Sequence, residues 1–309
     1  MKETIGMLLS LVLLLSPTMA FATWKEEDVS FIARCDGTEQ KYVLLFPTGY
    51  VSDRPHDILI ALHGHGADRW QFVQEDRDEC RAVRDFAAEH RMLLLSPDYR
   101  ASTSWMGPKA EADVVQIIED LKRRVRVSRV FLCGASMGGA SSLTFAVLHP
   151  ERIDGVASMN GTANFLEYEN FQDAIRESFG GSKTDIPDEY KKRSAEFWPE
   201  KLTMPVGLAV SGKDESVPPG SVLRLTDSLK TIGGKVLLIH RKDLGHFTQY
   251  EDAKRILDFI WKNAQPKAAT ARSNKASEAD VGFAKEKLVE LRGPTPEQSD
   301  PTDANEALF

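Results

Sequence analysis

Cysteine is scarce in this chain, with three in 309 residues, at Cys35, Cys80 and Cys133. No two of them form a CxxC pair, which argues against a thiol redox enzyme or a cysteine-based zinc site. An odd count permits at most one internal bridge, and Cys35–Cys80 is the pair open to it. Cys133 ends the apolar stretch Val130-Phe131-Leu132-Cys133 and reads as a buried small hydrophobe. Positive charge is also short: 39 Lys and Arg stand against 46 Asp and Glu, a net −7. Without a basic face the chain has no overall electrostatic reason to bind nucleic acid or an anionic membrane. No apolar run reaches the ~20 residues that a spanning helix needs, and no internal repeat is visible.

What is present divides into three unlike parts. Residues 1–22 hold Lys2, an apolar run over 5–15, Ser16-Pro17 and the small-residue ending Ala20-Phe21-Ala22. This is the layout of a secretory signal peptide with cleavage near Ala22, so the expected location is secreted or periplasmic, with no stable membrane insertion after cleavage. The alternative is an uncleaved membrane anchor. Residues 264–309 lose nearly all aromatics and gain Pro, Ser, Thr and charge, with eight acids and six bases. Such a composition cannot offset its ordering entropy and predicts a disordered tail. Residues 23–263 remain as a single body.

The body alternates short apolar runs with amphipathic stretches. Strands are predicted over 29–34, 42–46, 58–62, 92–96, 129–133, 155–159, 206–210 and 235–240. Several are nearly continuous in Val, Ile and Leu, as strands covered on both faces are. Helices are predicted over 76–90, 110–125, 139–149, 221–232 and 250–262; the second carries a stripe of Ala110, Val114, Ile117, Ile118 and Leu121. This order predicts one eight-stranded, mostly parallel α/β sheet with helices on both faces. Residues 162–201 break the alternation with Phe165, Tyr168, Phe171, Phe179, Tyr190, Phe197 and Trp198, and read as a helical, cap-like insertion after the sixth strand. It would lie over the carboxyl edge of the sheet, where such folds bind ligands.

Gly134-Ala135-Ser136-Met137-Gly138-Gly139 matches G-x-S-x-G between a predicted strand and a predicted helix, the setting of a nucleophile elbow. Ser136 is the candidate nucleophile, and a hydroxyl needs a base oriented by an acid. Asp214 follows the strand over 206–210 and His246 follows the strand over 235–240, so both fall on the edge that carries Ser136. Glu215 and Asp243 compete for the acid role, and His240 for the base role. His63-Gly64-His65-Gly66 follows the third predicted strand and supplies the candidate oxyanion turn, with donors assigned to the Met137 and His65 backbone N–H groups. His63 is expected to brace this turn. The His63/His65 pair has no accompanying carboxylate or thiol pattern, so no metal is assigned. Trp105 and Asn160, also on the active edge, are candidate substrate contacts.

Together these motifs resemble the α/β-hydrolase superfamily. Within it the chain is similar to the catalytic domains of prolyl-oligopeptidase-like enzymes and of secreted feruloyl, acetylxylan or polyhydroxyalkanoate-type esterases. The resemblance spans about 42–262. It implies the α/β-hydrolase fold and a cofactor-free serine hydrolase acting on a small-molecule or polymeric ester. A peptidase is the second reading, and a non-catalytic binding protein on the same fold the third. The N-terminal β-propeller of full-length prolyl oligopeptidases is not seen in this sequence, which favours the esterase expectation.

Overall fold

The structure, a computed structural model, describes residues 24–100 and 103–265. The expected signal segment and all but the first two residues of the expected tail lie outside them. Eight strands form one sheet: β1 Lys25–Ile32, β2 Glu39–Phe46, β3 His56–Leu62, β4 Leu93–Pro97, β5 Val127–Ala135, β6 Gly155–Met159, β7 Val206–Ser211 and β8 Val236–Arg241. Their order across the sheet is β1-β2-β4-β3-β5-β6-β7-β8. The β1–β2 and β2–β4 pairs are antiparallel and every later pair is parallel. This is the α/β-hydrolase sheet that the sequence predicts. The first strand begins four residues earlier than its apolar pattern suggests. As an edge strand it exposes Lys25, Glu26 and Asp28, and this polar half hides it from a reading based on apolar runs.

The helices are α1 Gln71–Gln74, α2 Asp78–Glu89, α3 Pro108–Arg124, α4 Met137–Leu148, α5 Gln172–Phe179, α6 Pro187–Arg193, α7 Gly220–Thr231 and α8 Tyr250–Asn263. Two cores lie on opposite faces of the sheet. One collects α3, α4 and α7 with the insertion, and the other collects α2 and α8. Helix α4 is buried from Met137 to Val147, which suits its apolar and small residues on every side. Cys80 and Cys133 are buried, Cys35 is exposed, and all three thiols are free, so the Cys35–Cys80 bridge does not form.

The insertion folds as α5 and α6 with two short 3-10 turns, Ala195–Phe197 and Pro199–Lys201. A fully buried arginine ties it down. The Arg193 guanidinium donates to Glu189 Oε1 at 2.7 Å, to Glu111 Oε2 at 2.8 Å and to the Met106 carbonyl at 2.7 Å. His149 Nε2 lies 2.9 Å from the other Glu111 oxygen. Burial pushes the Glu111 carboxyl up, but the His149 hydrogen bond and the Arg193 charge outweigh it and hold its pKa at about 2.

Arg193→Met leaves Glu111 and Glu189 without the buried cation, and is expected to cost about 3–5 kcal/mol in urea unfolding. Because the folded pKa of Glu111 lies below its ordinary 4.5, this stabilisation is present above that value and lost as pH falls through about 2. Glu111→Gln should flatten that part of the stability–pH curve.

Candidate active site

Ser136 occupies the one-residue turn between β5 and α4, with φ 58° and ψ −121°. A non-glycine residue held there stores about 1–3 kcal/mol of backbone strain. Its neighbours explain how the turn persists. A Cβ on Gly138 would overlap the Leu62 carbonyl oxygen and lie 2.8 Å from the His63 oxygen, and one on Gly134 would lie 2.8 Å from Leu62 O. On the other side, a Cβ on Gly139 would lie 2.8 Å from the Met159 oxygen. The Ser136 N–H donates to Met159 O at 2.8 Å, which ties the elbow to the end of β6. At the start of α4, the Met137 N–H has no intrahelical acceptor and is free to donate.

Asp214 and His246 come from the loops after β7 and β8. The carboxylate is buried, and its Oδ2 lies 2.7 Å from His246 Nδ1. Its Oδ1 accepts the Val217 N–H at 2.8 Å, which fixes the carboxylate plane. The two loops are closely tied: Lys213 N–H donates to Leu244 O at 2.9 Å, and Ser211 Oγ to Phe247 O at 3.0 Å. The insertion holds the acid loop from above, with the Tyr168 hydroxyl on Ser216 O at 2.8 Å and Asn170 Nδ2 on Glu215 O at 2.9 Å. The competing residues are placed differently. Asp243 is exposed beside Lys213, Glu215 is exposed, and His240 sits within β8. Ser136 Oγ makes no hydrogen bond to His246 among the described residues; such bonds often close only around substrate.

The turn after β3 lies against the elbow, since a Cβ on Gly64 would stand 3.8 Å from Ser136 Cβ. His63 braces it: its ring nitrogens lie 2.9 Å from Gly64 O and 3.1 Å from Asp98 O, and the Tyr99 hydroxyl donates to His63 O at 2.6 Å. Burial pushes the pKa of both His63 and His65 below the ordinary imidazole value, which keeps the rings neutral near pH 7.

The two expected substrate contacts are placed differently from their sequence reading. Trp105 is fully buried, packed against Phe165, Tyr168, Phe171 and His65, and its indole N–H has no partner among the described residues. It therefore backs the site instead of facing solvent. The exposed aromatic here is Phe171, 39% accessible, whose ring centroid lies 4.5 Å from that of His65. Asn160 is buried and gives its amide to Thr248 Oγ1 at 3.2 Å, which ties the end of β6 to the histidine loop. Sequence reasoning missed Phe171 as a site residue; its place in an aromatic-rich insertion after β6 was the available signal.

The Prolyl oligopeptidase family model matches residues 100–267, just over half of the chain. The chain belongs to the prolyl oligopeptidase family. The matched region contains Ser136, Asp214 and His246, whereas the turn at 63–66 precedes it. Among curated proteins, a 2-hydroxy-6-oxononadienedioate/2-hydroxy-6-oxononatrienedioate hydrolase of Escherichia coli is 27% identical over 107 residues, 34% of this chain and 36% of that protein. This relative is therefore matched over about a third of its length. Solved structures share the fold. A fluorophosphonate-binding serine hydrolase of Staphylococcus aureus aligns at a TM-score of 0.61 with 15% identity, over 78% of this chain and 99% of that one. A putative dipeptidyl aminopeptidase IV of Bacteroides ovatus aligns at 0.63 with 16% identity, over 80% of this chain and 36% of that one. The family places the chain among serine hydrolases, a class that includes both esterases and peptidases.

Gly138→Ala forces a methyl group into the Leu62 carbonyl and is expected to destabilise the protein by more than about 4 kcal/mol in urea unfolding. Gly49→Ala, at a positive φ with open space around it, should cost only about 1 kcal/mol.

Proposed function

We propose that the chain is an exported hydrolase of carboxylic esters, working through Ser136, His246 and Asp214. The observation that carries this reading is the 2.7 Å contact between the buried Asp214 carboxylate and His246 Nδ1, on the sheet edge that presents the Ser136 elbow. Asp214 holds the imidazole in the tautomer with Nδ1 protonated, which leaves Nε2 free to accept the serine proton. Ser136 Oγ attacks the ester carbonyl, and its proton passes to His246 Nε2. The tetrahedral oxyanion is received by the N–H groups of Met137 and His65. The bond to the alcohol then breaks, and His246 returns the proton to the leaving oxygen. Water, deprotonated by the same imidazole, releases the acid and restores Ser136. This sequence needs no cofactor.

Phe171 offers an apolar ring beside the oxyanion turn, and Phe247 another next to His246. Both suit a substrate with an apolar or planar acyl group. A peptidase on the same residues is the second reading, and the family membership favours it. Export rests on the composition of residues 1–22.

A fluorophosphonate probe should label Ser136, and Ser136→Ala should abolish both labelling and p-nitrophenyl ester turnover. Asp214→Asn should lower kcat by about 10⁴-fold, as loss of the orienting acid does, while Asp243→Asn stays within about twofold of wild type. Wild-type cleavage of prolyl or aminoacyl amides without cleavage of esters would select the peptidase. No turnover and no labelling would select a binding protein. Amino-terminal sequencing of the exported protein should begin near Thr23.

A further inference from the structure

The turn over 63–66 offers more than one amide for its proposed task, and the structure shows that the Gly64 amide is committed elsewhere. Gly64 N–H donates to Gln71 Oε1 at 2.8 Å. Among the described residues the His65 N–H has no acceptor. Gln71 is buried at the first position of α1, and its other amide atom, Nε2, donates to Glu75 Oε2 at 3.4 Å.

We propose that Gln71 is a positioning residue for the oxyanion turn, fixing the peptide before Gly64 so that, with the Gly64 carbonyl held separately, the His65 N–H is aimed at the reacting carbonyl. This rests on the ester-hydrolase reading above, and it concerns residues ahead of the region the family model matches. Gly64 has no side chain to limit its backbone, so its two flanking peptides must be fixed from outside. Gln71 takes the N–H of the peptide before Gly64. The carbonyl of the next peptide is held by the Ala67 N–H at 3.2 Å and lies 2.9 Å from His63 Nδ1. That carbonyl shares a planar trans peptide with the His65 N–H, so fixing the oxygen turns the N–H to the opposite side. With Gly64 N–H occupied, His65 N–H is the first amide of the turn left to donate to the substrate. An amide is suited to this position because it accepts from Gly64 without placing a negative charge beside the developing oxyanion.

Two variants test this, with kcat per active site set by fluorophosphonate titration. Gln71→Met keeps the length and removes the acceptor; kcat for p-nitrophenyl esters should fall about 10- to 100-fold with KM within about threefold. Gln71→Glu keeps the acceptor and adds a charge. The charged groups around it are Glu75 just past the end of its own helix, with Arg77 beside it and Arg84 of α2 donating to the Glu75 carbonyl, and Asp98 bonded to Arg69. His63 and His65 are neutral, so the new carboxyl faces Glu75 without a cation of its own. The kcat ratio of Gln71→Glu to wild type should therefore rise as pH falls and the carboxyl takes up a proton. A purely structural Gln71 predicts a flat ratio. Gln71→Met within twofold of wild type, or a flat Gln71→Glu ratio, overturns the proposal; if Gln71→Met does not fold, the ratio decides. Ser136→Ala run in parallel separates the two failures, because full activity in that variant would sink the ester-hydrolase reading whatever Gln71 does.

Discussion

The contact on which the site depends is the close approach of Gly138, one residue into α4, to the carbonyl groups of Leu62 and His63 at the end of β3. A side chain there would push the helix start away from the sheet. With glycine, the first turn of α4 lies directly over the β3 edge, and three consequences follow. Ser136 is forced to a positive φ and stands above the sheet. The unsatisfied amides of the helix start face the same space. The turn after β3 is brought against the serine, so donors from two separated segments converge. Some of the strain at Ser136 is offset by the Met159 hydrogen bond and by the thorough burial of α4.

The acid and base are fixed by different means. They sit on the loops after two neighbouring parallel strands, and cross-loop hydrogen bonds hold the loops in register. The insertion completes this support: Tyr168 and Asn170 bind carbonyls of the acid loop, and Arg193 anchors the same insertion to α3 and to the loop carrying Trp105. Burial raises the Tyr168 hydroxyl pKa, and the Asp214 charge raises it further, so Tyr168 stays a neutral donor. A helical cover that looks like an addition to the sheet therefore sets the position of a catalytic candidate.

Much of this was legible because it is local. The elbow needs small residues two positions either side of a serine, and Asp214 and His246 each follow a recognisable apolar strand, so order and spacing reveal them. What was not legible depends on contacts between distant segments. Trp105 reads as a candidate substrate contact because it follows the fourth strand on the active edge, yet four aromatic rings from two other segments enclose it. Asn160 reads as a ligand contact, but Thr248, 88 residues away, takes its amide. Gln71 carries no motif at all; only the fold brings its side chain to Gly64. The Cys35–Cys80 pairing fails for the same reason, since Cys80 faces the core from α2 while Cys35 is at the surface next to Arg100.

The two histidines of the oxyanion turn show how the site divides its labour. Each could in principle titrate near neutral pH and lend a positive charge to the oxyanion, but burial holds both neutral. A charged imidazole at His65 would be a stronger electrostatic partner, but its strength would vary with pH and it would favour any anion, including the acid product. Backbone N–H groups avoid both problems, since their dipoles are fixed in place by hydrogen bonds and do not titrate. Of the three histidines at the site, His246 is the one that, among the described residues, has a carboxylate at hydrogen-bond distance. For the proposed ester hydrolysis, the burial that removes charge from the turn would thus concentrate the acid–base chemistry on a single imidazole.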